Sequence, residues 1–278
     1  MPSYVLEISY HGGAFRGSQR QGTARTVEKV MMDACRSAFG EDPDLLFASR
    51  TDAGVHALGN VVRMRLWREI DPARGASRLN HLLPEDVAVV SMRRAADGFN
   101  PRRDARWKQY RYHIWNVRCR PVLDADRVWH VREPLDVNAM RRAARLFTAC
   151  RDFRFATTRE YAESGRETRC RLKRLSVIRC GGCIVCTLIG NRFLHRMVRY
   201  LVGMLVDAGA GRLAPHQAEA LTRRPFCARR PAPAHGLVLE RIVYGTPHGG
   251  EPASGGTNVS WRFTNEDGRD DQEAVHGR

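Results

Sequence analysis

The order of predicted elements repeats along this chain. Residues 3–10 alternate apolar and polar side chains and predict a strand; residues 26–39 predict a helix with Val27, Val30, Met31, Ala34, Cys35 and Phe39 on one side. Residues 44–49 and 60–66 read as strands, 71–82 as a short helical or irregular stretch, and 86–93 as a strand. That order is β-α-β-β-α-β, and the second half repeats it. Residues 108–116 alternate, with Tyr110, Tyr112 and Ile114 on one face; residues 136–149 form a helix entered after Pro134. Residues 171–180 and 183–190 make a hairpin, 192–209 an apolar-faced helix, and 237–244 a last strand. No residue-level repeat accompanies this repeat of element order. Two such units predict two α+β lobes facing each other across a cleft, residues 1–107 and 108–245. Residues 246–278 are polar and Gly-rich, a flexible tail whose one apolar island is at 261–263.

The 278 residues suffice for one or two domains with a real core. Charge is the unusual quantity. Lys plus Arg number 46 against 30 Asp plus Glu, a net +16, and only Lys29, Lys108 and Lys173 are lysines. Residues 251–278 carry six acids and three bases, so the positive charge lies in the body and the tail is mildly acidic. Such a body predicts a polyanionic partner, nucleic acid before membrane. No apolar run reaches membrane-spanning length and the start does not resemble a signal peptide, which predicts a soluble, intracellular protein. The eight cysteines are scattered, as in a reducing compartment. Cys180, Cys183 and Cys186 have metal-like spacing, but Gly181-Gly182 is also a two-residue hairpin turn, and no fourth ligand is evident. The hairpin reading is therefore preferred to a metal site.

The stretch Arg50-Thr51-Asp52-Ala53-Gly54-Val55-His56 falls between two predicted strands, where function concentrates. A carboxylate next to a guanidinium stays ionised, as a nucleophile or general base requires. The plainer alternative is a turn residue with a surface partner. Residues 93–120 hold nine bases against Asp97 and Asp104, interleaved with Phe99, Trp107, Tyr110, Tyr112 and Trp115. Cations for phosphates and ring faces for unstacked bases are an RNA-binding footprint.

Those residues carry a resemblance to the TruA family of tRNA pseudouridine synthases, over about residues 3–244. The central block is Arg50–His56. In order around it stand Gly12-Gly13-Ala14-Phe15-Arg16-Gly17, Thr26-Val27-Glu28, Leu79-Asn80-His81-Leu82-Leu83-Pro84-Glu85-Asp86, Lys108-Gln109-Tyr110-Arg111-Tyr112, Phe193-Leu194-His195-Arg196-Met197-Val198-Arg199 and Ala232-Pro233-Ala234-His235-Gly236-Leu237. The chain departs from the family pattern at Ser49 (usually Gly), His11 (Asp), Ser18 (Trp) and Glu28 (Gln).

The resemblance implies a mixed, largely antiparallel sheet running through both α+β lobes, and isomerisation of uridine to pseudouridine without cofactor or metal. It implies Asp52 as the catalytic carboxylate and Arg199 as its basic partner. Tyr110 would stack on the base and assist proton removal at C5, Leu237 would form the apolar floor, and Arg50 would hold the target nucleotide out of the stack. His56 and His195 are expected to be structural or RNA-facing. The implied partners are tRNA, with the target in the anticodon stem-loop, and a second copy of the chain; the implied location is the cytoplasm, with an organelle left open. Other tRNA positions or other RNAs, a silent RNA-binding module, and a metal-dependent nucleic-acid enzyme using the three cysteines remain alternatives.

Overall fold

Alternation builds the first strand: in β1 (Ser3–Tyr10), Tyr4, Leu6, Ile8 and Tyr10 are buried along one face. Helix α1 (Val27–Phe39) opens at Thr26, whose hydroxyl accepts the Lys29 N–H, and closes at left-handed Gly40. Then come β2 (Asp44–Phe47), β3 (His56–Arg65), α2 (Pro72–Leu82, capped by Asp71) and β4 (Val87–Arg94). The second half runs β5 (Ala105–Trp115), β6 (Trp129–His130), α3 (Val137–Ala149, capped by Asp136), the one-turn α4 (Arg159–Glu163), β7 (Leu172–Cys180), β8 (Cys183–Gly190), α5 (Met197–Gly209), α6 (Pro215–Thr222) and β9 (Leu237–Tyr244). This computed structural model describes residues 1–224 and 230–245, so the expected tail lies outside the described residues.

The strands form one mixed, mostly antiparallel open sheet in the order β4-β1-β3-β9-β5-β8-β7, with β2 on β3 and β6 on β5. The first half contributes its strands in the order fourth, first, third, second (β4-β1-β3-β2), and the second half repeats that order as β9-β5-β8-β7. The repeat in the sequence is therefore also a repeat of strand order. The halves join where β9 runs parallel to β3, His56 opposite Val238 and Ala57 opposite Leu239. Further along that same edge of β3, residues 62–65 pair with β2. The β2–β3 connection, residues 48–55, thus leaves the sheet where β9 enters it.

Helix α5 is apolar nearly all round, and in it only Arg199 and Asp207 escape burial. Each fully buried Leu or Met in it stabilises the fold by about 1.5–3 kcal/mol relative to exposure. The helix predicted from residue 192 starts at Met197 instead. Arg196 has φ 58°, the left-handed region, and Met197 N–H bonds the Leu194 carbonyl at 3.1 Å, so the helical register cannot extend backward. The strand predicted from residue 60 begins at His56, extended by its pairing with β9. Residues 72–82 form a regular helix, and β6, α4 and α6 lie in stretches read as connections.

Cys180 and Cys183 pair across the Gly181-Gly182 turn, as the hairpin reading expects. Cys183 and Cys186 stand three residues apart on β8 and so point to opposite faces of the sheet. Burial pushes the Cys186 thiol up to about 12. Among the described residues no cluster of His, Cys, Asp or Glu could hold a metal ion, and no helix is long and apolar enough to cross a membrane.

Candidate active site

The loop after β2 is held from below by the turn at residues 12–18. Ser18 Oγ accepts the Thr51 N–H at 2.9 Å, Ser18 N–H donates to the Thr51 carbonyl at 3.1 Å, and Gly54 N–H reaches the Phe15 carbonyl at 3.3 Å. Gly12 lies directly under the Val55 backbone, where a Cβ would overlap it, and Gly17 (φ 96°) approaches the Thr51 carbonyl. These contacts give the Gly12–Gly17 block its physical reason: it is a cradle that only glycine backbones permit. A buried polar chain fixes the same loop from the side. Tyr10 and Thr51 hydroxyls share a 2.8 Å hydrogen bond, and the Asn60 amide donates to Tyr10 Oη and to the Ser49 carbonyl while accepting the Ser49 N–H.

Asp52 projects from this loop, with 22% of its side chain exposed. Arg199, from the third position of α5, places Nη1 3.1 Å from Asp52 Oδ2, although the two lie 147 residues apart. Arg199 Nε donates to the Ala232 carbonyl at 2.7 Å, and Ala232 N–H returns a bond to the Arg199 carbonyl at 2.9 Å. The guanidinium is therefore held at both ends, which suits its fork. The sequence reading set Arg50 beside the carboxylate. Arg50 is exposed, and the guanidinium in contact with Asp52 is that of Arg199, the partner implied by the resemblance.

The segment at 230–237 is zipped into place by three partners. Gly203 of α5 lets it approach: a Cβ there would stand 2.8 Å from the Arg230 carbonyl. Tyr112 Oη donates to the Pro233 carbonyl at 2.7 Å, with Gly236 lying against the Tyr112 ring. His56 takes Gly12 N–H on Nδ1 at 3.1 Å, which leaves the ring proton on Nε2 for the His235 carbonyl, also at 3.1 Å. Burial, with His11 beside it, pushes the His56 pKa down to about 4. His56 thus fastens the two halves of the sheet as a neutral ring. Leu237, buried at the start of β9, pairs with Tyr112.

Tyr110 is buried on the helix-covered face. Its hydroxyl shares a 2.8 Å hydrogen bond with Ser49 Oγ, and its ring meets Phe193 edge-on at 5.1 Å. Burial raises its phenol well above the usual range, with Ser49 pulling weakly the other way. Tyr110 is a neutral phenol at neutral pH. Two cations of the basic stretch 93–120 meet the loop from another side. Lys108 Nζ donates to the Ala48 carbonyl at 2.7 Å and Arg102 Nε to the Phe47 carbonyl at 2.8 Å. Burial, with repulsion from Arg102 and Arg192, pushes the Lys108 ammonium down to about 8. Of the interleaved aromatics, Tyr110 and Tyr112 are buried, while Phe99, Trp107 and Trp115 are half-buried.

The structure thus brings Asp52 and Arg199 into contact, places Tyr110 behind the loop through Ser49, and leaves Arg50 outside. It also adds residues that sequence reasoning missed. Ser18, Asn60 and Tyr10 have no signal beyond being polar in apolar surroundings. His195, expected to be structural or RNA-facing, stands before the start of α5 with its Nε2 3.6 Å from Asp52 Oδ1.

The chain is similar to known proteins over most of its length. A family model described as tRNA pseudouridine synthase matches residues 143–245. A tRNA pseudouridine synthase A from Pelobacter propionicus is 37% identical, covering 88% of this chain and 100% of that protein. The proteins of the same name from Azorhizobium caulinodans (39% identical; 88% of this chain, 95% of that one) and a Methylobacterium species (40%; 89% and 99%) are similar over the same extent.

Proposed function

This chain belongs to the tRNA pseudouridine synthase A family, and on that premise we propose that it isomerises uridine to pseudouridine in tRNA, in the anticodon stem-loop, with Asp52 as the reacting carboxylate. The reaction breaks the bond from uracil N1 to ribose C1′, turns the base and joins C5 to C1′, with the C5 proton lost and N1 gaining one. It is an isomerisation and calls for no redox partner. The observation that carries the reading is the Asp52–Arg199 pair, assembled from the β2–β3 loop and α5 where β9 joins β3. A carboxylate held by a fixed cation can attack the sugar or take a proton without reorganising its surroundings.

In this reading Tyr110 and Leu237 form the wall and floor for the extruded uracil. Tyr110 works through its ring, since its phenol is neutral, and an entering base meets that ring once Phe193 yields. Arg50, exposed beside the loop, keeps the target nucleotide out of the stack, a step that costs a few kcal/mol. Arg102 and Arg192, the cations beside Lys108, add positive charge by the loop for RNA phosphates, while Lys108 itself is held under the loop by the Ala48 carbonyl. Residues 1–107 and 108–245 are the two lobes of the cleft, and the enzyme works in the cytoplasm as a homodimer.

The test is Asp52→Asn, which removes the anion and nearly preserves shape. Pseudouridine formation in tRNA should be lost while tRNA affinity stays within about tenfold, because phosphate contacts dominate binding. Mapping pseudouridine in tRNA from cells carrying the wild-type or the variant gene reads activity and position together. Appreciable turnover by the variant would refute the assignment.

A further inference from the structure

We propose that His195 is a positioning residue for Asp52, holding carboxylate Oδ1 while Arg199 holds Oδ2. The inference rests on the reading of Asp52 as the reacting carboxylate. Its first support is that the two oxygens have separate partners, His195 Nε2 at 3.6 Å and Arg199 Nη1 at 3.1 Å. Arg199, 14% exposed, is the inner partner, and His195, 44% exposed, is the outer one. A contact of 3.6 Å is longer than a hydrogen bond, but such contacts tighten when a substrate closes the site.

The second support is the backbone that presents the ring. Arg196 is the one non-glycine residue with positive φ among the described residues. A left-handed arginine costs about 1–2 kcal/mol and persists only where its surroundings impose it. That left-handed residue separates His195 from the start of α5, so His195 is placed by the turn before the helix and not by the helix itself. The third support is that ring and backbone are anchored separately. Thr157 Oγ1 donates to the His195 carbonyl at 2.8 Å, whereas Thr158 Oγ1 stands 3.5 Å from Nδ1. A Thr158 hydroxyl that donates to Nδ1 leaves the Nε2–H for Asp52. Because the carbonyl anchor needs no imidazole, the turn outlasts loss of the ring.

His195→Ala and His195→Gln decide the matter, measured beside Asp52→Asn on the same tRNA. His195→Ala should lower kcat about tenfold with KM within about twofold, the signature of a misaligned reacting group. Gln carries an amide nitrogen near the place of Nε2, so His195→Gln should recover most of that loss. Equal impairment in both variants would mark a structural role and overturn the proposal. A rise in KM with kcat unchanged would mark an RNA contact and overturn it too. If His195→Ala turns over like wild type while Asp52→Asn is dead, the proposal fails and the assignment of Asp52 stands. If Asp52→Asn remains active, both fall.

Discussion

Arg199 is the one arginine of a largely buried helix, and its bonding is what makes a site. Its Nε is bound to the Ala232 carbonyl and its Nη1 to Asp52, so it orders a loop, a helix and the segment before β9 together. Arg199→Ala strands the carboxylate and should lower turnover roughly a hundredfold, the scale seen when one preorganised stabilising donor is removed. Arg199→Lys restores the charge but not the fork, so it should recover only part. Turnover assays on both variants, with circular dichroism showing the fold intact, check this; equal activity in Ala and Lys variants would contradict it. At this scale the legibility of the sequence followed sequence distance. Asp52 was visible because its loop is contiguous, Arg50–His56. Arg199 and Tyr110 were reachable only through resemblance. The Ser49–Tyr110 bond spans 61 residues, and no local pattern announces such a contact.

Elements were more legible than contacts, because the periods of strand and helix are local. The exceptions had tertiary causes. Strand β3 starts four residues early, with its first two residues paired to β9, and α5 lost five because Arg196 turns left-handed. The packing of α5 on the segment at 230–232 gives a prediction at this scale. Gly203→Ala ought to raise helix propensity by about 1 kcal/mol. Yet its Cβ would stand 2.8 Å from the Arg230 carbonyl and 3.5 Å from Ala232 N, and backbone cannot swing aside. The variant should be destabilised by about 1–3 kcal/mol net, as overpacking is, and should also lose turnover because the Arg199–Ala232 bonds run along that contact. Urea unfolding and turnover, both measured where the variant is folded, test the two parts. A stabilised, fully active variant would show that the approach is not tight.

Across the whole molecule, two buried histidines make stability depend on pH. His56 is pushed down to about 4 by burial and its neighbour His11, and His113 to about 4 by burial, Arg111 and His56. Both bind a proton less readily folded than unfolded, where an imidazole titrates near 6.5. Their stabilisation is therefore present above about pH 6.5 and lost as pH falls toward about 4, on the order of a few kcal/mol each. Glu7 and Glu240, whose carboxyls burial raises, work in the opposite direction at the acid end of that window. The urea midpoint should fall between pH 7 and pH 5, and His56→Gln should flatten that fall. An unchanged slope in the variant would mean that His56 does not carry it.

The sequence alone determined the element order, its duplication, the excess of cations and the loop that carries Asp52, because each is a local pattern or a sum over residues. Only the tertiary structure decided how the Arg199 implied by resemblance is held against that carboxylate, that β9 joins the halves beside it, and that His195 stands 3.6 Å from it. These are encounters between segments tens to hundreds of residues apart. Their geometry is set by sheet pairing and by the burial of α5, and neither can be read from a window of neighbouring residues.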